Sequence, residues 1–231
     1  MASKPRNFDP QLIYHIYNSS VVEKRKIFLT DRDYQRFLNT IDYYLYNQSI
    51  PYAQFQRLPQ RAKEHSIQSN PKGLQDRRVK LLAYCLMPNH FHLLVKPKNP
   101  VDTSRFISDI TNSYTRYFNL KNKRSGVLFR GTFKAKEITN DASLLQVSRY
   151  IHLNPLVSSK ANPKGTLKKL RDYPYSSYLE WAGFKNPHLV EGEEVKSLLA
   201  QIENAKGYRS FVESKLKTGL ALGIEDLILE S

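Results

Sequence analysis

The sequence predicts an α+β fold in which helices cover a central antiparallel sheet, with a helical extension at the C-terminal end. Three observations predict it. Short β-branched and aromatic runs alternate with segments whose apolar residues recur at helical spacing. Two of the strands are joined by Pro88-Asn89, a connection too tight for a crossover helix, so they pair as a hairpin. The 231 residues are 40% hydrophobic and 25% charged, enough to build a core without disulfide or metal staples.

The elements follow in order. Leu12 to Tyr17 (LIYHIY) reads as the first strand. Thr30 or Asp31 caps a helix carrying Tyr34, Phe37, Leu38, Ile41 and Leu45 at helical spacing. Asn47 to Arg78 holds Pro51, Pro59, Pro71 and Gly73 among basic and polar residues, and reads as a long, basic, mobile insertion. Val79 to Met87 and His90 to Lys96 form the hairpin. Thr103 to Asn122 is a second amphipathic helix, its apolar side built from Phe106, Ile107, Ile110, Tyr114, Tyr117 and Phe118. Thr132 to Ile138 alternates as a fourth strand. Asn140 or Asp141 caps a third helix running through Ile151. Pro155 is expected to stop it, because proline removes a donor and disfavours helical geometry in the residue before it. The order β-α-β-β-α-β-α is that of a ferredoxin-like split βαβ layer with one helix added. Residues 1–156 are expected to form this domain, and 157–231 an extension packed on or beside it. An amphipathic segment with Phe211, Leu216, Leu220 and Leu222 is expected to lie over the domain.

Composition narrows the function. Lys and Arg number 36 against 21 acidic residues, a net charge of +15. Residues 191–231 hold 5 basic and 8 acidic side chains, so residues 1–190 hold 31 and 13, a net of +18. A surplus of that size attracts polyanions, nucleic acid above all. The single cysteine, Cys85, excludes a disulfide scaffold and fits a reducing compartment. The first eleven residues lack the apolar stretch of a secretory signal, and the longest apolar run, Leu81 to Met87, is too short to cross a bilayer. The expectation is a cytoplasmic protein with no membrane partner.

His90-Phe91-His92 is the first chemical candidate. On a strand the two imidazoles share a face and Phe91 takes the other, so the pair fits either a shared divalent metal or two solvent-facing histidines. Tyr150 and Asn154 are four apart and stack on one helical face. Two imidazoles and one amide oxygen make a mixed N/O set suited to Mg²⁺ or Mn²⁺ with open positions. Without thiolates a closed structural zinc site is excluded. His152 points about 200° away from Tyr150 and stays outside the ligand set. A phenolate beside the metal is a competent nucleophile toward phosphorus, although a helix tyrosine also serves packing. Arg105, Arg116, Lys121 and Arg124 lie on or just past the second helix, interleaved with Tyr114 and Tyr117. That pattern fits phosphate neutralisation and base stacking, and equally a core stripe with a solvated back. Lys134 and Lys136 lie on one face of the fourth strand, Arg130 comes just before it, and Arg149 adjoins Tyr150. His15 reads as a packed strand histidine, or as a group that supports a metal-binding histidine from behind.

Leu81 to Leu94 (LLAYCLMPNHFHLL) resembles the His-hydrophobic-His signature of the single-tyrosine HUH transposases. Gly126 to Ala135 (GVLFRGTFKA), Tyr150 to Pro155 (YIHLNP), Tyr173 to Tyr178 (YPYSSY) and Tyr14 to Phe28 resemble the REP-associated tyrosine transposase branch. The resemblance runs from about residue 12 to about 180, in the expected order. It implies a ferredoxin-like HUH domain in which His90 and His92 bind the metal, Asn154 completes the set and Tyr150 is the nucleophile. It implies cleavage of single-stranded DNA beside a hairpin, a 5′-phosphotyrosine link, a free 3′-OH that rejoins strands, and action as a monomer or homodimer. Two departures concern DNA specificity: the Asn47 to Arg78 segment, and Ser19-Ser20-Val21 where the family carries a glycine-containing turn. The alternatives are a relative that grips hairpin DNA without cutting, and an RNA-binding module. The second would place aromatics where this strand carries two histidines.

Overall fold

The computed structural model describes residues 7–23, 25–69, 77–157, 163–200 and 205–217. Four strands, β1 (Ile13–Ser19), β2 (Val79–Met87), β3 (His90–Pro97) and β4 (Lys134–Ile138), form one sheet in the order β2-β3-β1-β4, every neighbour antiparallel. That is the expected split βαβ arrangement. The main helices are α1 (Asp31–Tyr44), α2 (Tyr52–Arg57), α3 (Gln60–Ser69), α4 (Asp102–Lys121) and α5 (Asp141–Val157). α6 (Pro163–Arg171), α7 (Tyr178–Trp181), α8 (Gly192–Ala200) and α9 (Ala205–Lys217) follow.

Register decides which residues meet. Tyr17 pairs with His92 on one side and Lys134 on the other; His15 pairs with Leu94 and Lys136; Ser19 pairs with His90. Directly opposed residues share a face, so His15, Tyr17, His90, His92, Lys134 and Lys136 all project to one side. Phe91 projects to the other. There it meets Phe37 of α1 (ring centroids 5.3 Å apart) and Phe129 (5.7 Å), and Phe37 meets Tyr114 of α4 at 5.1 Å. α1 and α4 thus cover the Phe91 face and α5 the histidine face. Phe91 is fully buried, and truncating such a ring to alanine costs about 3–5 kcal/mol.

The α1 start matches its sequence. Asp33 accepts from the Thr30 N–H, the Thr30 hydroxyl and the Leu29 N–H, each at 3.0 Å. It also accepts from the Tyr117 hydroxyl (2.9 Å) and pairs with Lys121 (2.6 Å), tying α1 to α4. Burial would raise its pKa, but these donors hold it below the usual carboxylate value.

Two expectations are corrected here. The Asn47 to Arg78 stretch contains two helices, α2 and α3, where the prolines suggested irregular chain. Pro51 and Pro59 sit just before them, where a missing N–H costs nothing. Residues 70–76, with Pro71 and Gly73, lie outside the described residues. Arg77 and Arg78 are buried: Arg77 pairs with Glu191 (3.4 Å) and Arg78 with Asp109 (2.7 Å). Second, α5 does not stop before Pro155 but passes through it to Val157. So near the helix end, proline deprives only one carbonyl of its partner. Of the two readings left open for the α4 tyrosines, the structure favours the core stripe. Tyr114 is fully buried with its hydroxyl on the Ile27 carbonyl (2.6 Å), and Tyr117 is engaged by Asp33.

The outer edge of β2 is closed by later chain. The Leu86 N–H bonds the Tyr175 carbonyl (2.9 Å), the Tyr84 N–H bonds the Ser177 hydroxyl (2.9 Å), and the buried Trp181 indole bonds the Leu82 carbonyl (2.8 Å). A covered edge cannot template further strands. α9 packs on α5, α6, α7 and α8, as the amphipathic pattern around Phe211 suggests. Leu220 and Leu222 fall outside the described residues.

Candidate active site

Strand β3 and helix α5 bring the four leading candidates together. His90 and His92 lie on the α5 face of the sheet, with ring centroids 4.9 Å apart. The Tyr150 ring stands edge-on to His92 at 5.4 Å. Asn154, one turn further along α5, presents Oδ1 to His90 Nε2 at 3.4 Å. His92, Tyr150 and Asn154 are buried, and His90 is half-buried.

The protonation pattern follows from the partners. His90 Nδ1 faces Asn89 Oδ1 at 2.8 Å. An amide oxygen only accepts, so Nδ1 carries the hydrogen and Nε2 carries a lone pair. Asn154 Nδ2 donates to the Tyr150 carbonyl (3.4 Å), which fixes its oxygen toward His90. Two acceptors therefore face each other across 3.4 Å. Two cis ligands of one octahedral ion, each at 2.0–2.1 Å, stand roughly 3 Å apart. The donor set fits a small divalent cation.

His15 completes the arrangement from β1. Its Nε2 meets His92 Nδ1 at 3.0 Å, and its ring stacks against His92 and Tyr17. With Nδ1 engaged, Nε2 is the nitrogen His92 offers a metal. Burial drives the His92 pKa well down, helped by His90 and His15. Burial, then Lys136, lowers that of His15 to about 3. Both rings are thus neutral near pH 7, as a metal ligand and its partner must be. Among the described residues no three His, Cys, Asp or Glu side chains cluster to hold a metal. An ion here would rest on two imidazoles and an amide, with remaining positions open to phosphate and water.

A cleft of about 300 Å³ opens beside His90, lined by Tyr17, Ser19, Asn89, Arg130, Thr132 and Lys134. The 127–131 segment is held against the end of β1 by the Arg130 N–H on the Ser19 carbonyl (2.8 Å) and the Val21 N–H on the Leu128 carbonyl (2.9 Å). Gly131 turns it with φ +52°, left-handed backbone that glycine adopts without strain. Lys134 lies 5.8 Å over the Tyr17 ring.

The other basic candidates divide. Arg130 and Lys134 line this cleft, and Lys136 sits opposite His15. Arg149 is turned toward the C-terminal helix, its guanidinium 4.3 Å over the Phe211 ring and bonded to Gln146. Arg124 folds back on its own loop, bonding the Val127 carbonyl (3.0 Å). Arg105, Arg116 and Lys121 are on α4, across the sheet from the histidines. These three therefore do not line the cleft beside His90.

His152 lies apart from the site, as its helical angle predicts. It is fully buried, with Nδ1 on the Tyr208 hydroxyl (2.6 Å) and Nε2 on the Ser177 hydroxyl (2.8 Å). Sequence reasoning did not assign Asn89 or Tyr17 to the site, and noted Ser19 only within the turn that departs from the family's glycine. Asn89 carried one signal, its place in the turn before His90.

Residues 50–154 match the model of the family described as IS200-like transposases. The fold is that of a solved structure of the REP-associated tyrosine transposase bound to a REP hairpin: 15% identity, TM-score 0.51, covering 83% of this chain and 91% of that one. No curated protein matches the sequence. The resemblance to IS200-like transposases thus holds in sequence over residues 50–154, and that to the REP-associated tyrosine transposase holds in fold over most of the chain. The matched region begins within the stretch that had read as an insertion.

Proposed function

We propose that the protein is a metal-dependent transposase and endonuclease that nicks and rejoins single-stranded, hairpin-bearing DNA through a 5′-phosphotyrosine at Tyr150. The observation that carries the reading is the convergence of His90, His92, Asn154 and Tyr150, with His90 Nε2 3.4 Å from Asn154 Oδ1 and the Tyr150 ring 5.4 Å from His92. A protein that only grips DNA has no need of two imidazoles, an amide and a phenol gathered at one point.

Mg²⁺ or Mn²⁺ held by His90, His92 and Asn154 would polarise and orient the scissile phosphate. The chain's own groups do the rest. Arg130 and Lys134 in the cleft attract the strand and neutralise its backbone. Tyr150 Oη attacks phosphorus, forming the phosphotyrosine bond and breaking the bond to the 3′ oxygen. The phenol loses a proton and the departing oxygen gains one, so the step is balanced. Attack by the freed 3′-OH reverses it on the same or another strand, and the bond energy kept in the adduct makes a nucleotide cofactor unnecessary.

The hairpin preference rests on the fold shared with a protein bound to a REP hairpin. All four site residues come from one chain, so a monomer carries a complete site and a homodimer would carry two. No described helix is long and apolar enough to cross a membrane.

The test is a denaturing gel of protein, Mn²⁺ and a hairpin oligonucleotide labelled at either end. The reading expects a band that survives SDS and retains the 3′-side label, is lost on chelation, and is absent from Tyr150→Phe. Tight hairpin binding by the wild type with no such band would turn the assignment toward a non-catalytic hairpin binder.

A further inference from the structure

A second cavity lies apart from the cleft beside His90. It is a groove of about 550 Å³ on the outer side of α1, α2 and α4, across the sheet from Tyr150. Arg32, Arg36, Arg57, Arg116, Tyr117 and Lys121 line it. Lys121 is neutralised by Asp33, and the lining carboxylate, Asp109, is taken by Arg78. Arg32, Arg57 and Arg116 are exposed and form no ion pair with a described residue. Arg36 lies 4.4 Å from the centre of the Tyr52 ring and 5.1 Å from that of Tyr117, with its Nε buried and lacking a hydrogen-bond partner.

A protein needing only solubility spreads its charge, because like charges gathered in a concave surface repel one another. Four guanidiniums around one groove, one of them fixed by two tyrosines, fit a polyanion. Planar guanidiniums pair with phosphate oxygens two bonds at a time. We infer that this groove is a second DNA-binding site, which holds the phosphodiester backbone of a DNA segment other than the one at Tyr150. The inference rests on the reading that the protein acts on DNA. It gives Arg116 a role that its distance from the histidines denies it in the catalytic cleft.

The salt dependence of binding tests this directly. Each phosphate contact contributes about 0.9 to the slope of log K against log salt on duplex DNA and about 0.7 on single strands. The triple variant Arg32→Gln, Arg57→Gln, Arg116→Gln is compared with Lys185→Gln, Lys196→Gln, Lys206→Gln, which removes the same charge from exposed positions elsewhere. The probes are a blunt duplex stem and an oligo-dT strand, titrated at about 50 to 200 mM salt. The groove variant is expected to lose about 2.7 from the duplex slope if a stem lies there, or about 2.1 from the single-strand slope if a flank does. The control should lose less than about one contact's worth. Equal slopes in groove variant and wild type on both probes, or equal losses in groove and control variants, would overturn the inference. The Tyr150 gel stays separate: an adduct without a slope change removes the groove and keeps the chemistry, and a slope change without an adduct does the reverse.

Discussion

His15 shows how one side chain sets the chemistry of another. It holds His92 Nδ1 at 3.0 Å, so the nitrogen that His92 would offer the proposed ion, and the angle of its ring, depend on a neighbouring strand residue. Removing such a partner typically costs 10–100-fold in metal affinity. His15→Ala is therefore expected to weaken Mn²⁺ binding about 10–100-fold, read by titrating the ion's paramagnetic signal, while the circular dichroism spectrum is retained. Unchanged Mn²⁺ affinity would show that His15 only packs. Asn154→Ala removes a ligand and turns an empty space toward His90 Nε2, so it should abolish the same signal while hairpin binding persists. Part of this was legible in sequence. His90 and His92 on one face follow from the period of a strand, and Tyr150 and Asn154 from that of a helix. The place of His15 follows only from strand order, a tertiary fact no local pattern carries.

At the scale of elements, α5 is the part on which geometry depends, and the C-terminal helix holds it. The Tyr208 hydroxyl links His152 Nδ1 (2.6 Å) to Ser148 Oγ (3.0 Å), both on α5, and Ser177 links His152 to β2. Tyr208→Phe leaves a buried imidazole nitrogen without its partner, so urea unfolding should show a loss of about 1–3 kcal/mol. Burial lowers the His152 pKa from 6.5 to about 3. The folded chain keeps the ring neutral while the unfolded chain protonates it below about pH 6.5. This contribution is therefore whole above that pH and declines as pH falls toward 3. By pH 5 the loss amounts to about 2 kcal/mol, and His152→Gln should show a correspondingly shallower loss between pH 7 and 5. An unchanged pH slope would mean the ring is protonated in the fold. The hairpin, α1 and α4 were legible because their periodicities are long and clean. The path of α5 through Pro155 was not, since proline's penalty near a helix end depends on how many residues follow. The segment after Asn47 misled because Pro51 and Pro59 precede helices rather than interrupt them.

Across the whole molecule, charge and covering chain are segregated. The cleft beside His90 and the α1/α2/α4 groove carry basic residues on opposite sides of the sheet, while acidic Glu191 and Glu194 bind Arg77 and Lys80 at the start of β2. Ending the chain at Glu191 would strip α8 and α9 from the buried Trp181 and His152, so that truncation should unfold or aggregate near ambient temperature; a cooperative melt like that of the full chain would contradict this. The central claim is that Tyr150 attacks phosphorus beside an ion held by His90, His92 and Asn154. Peptide mass spectrometry of the Mn²⁺-dependent protein–DNA adduct, after protease and nuclease digestion, tests it most directly. The account predicts a nucleotide mass on Tyr150, in the peptide that follows Arg149, and none in a chelated sample. Nucleotide on another tyrosine, or on Tyr150 in equal yield without metal, would contradict it.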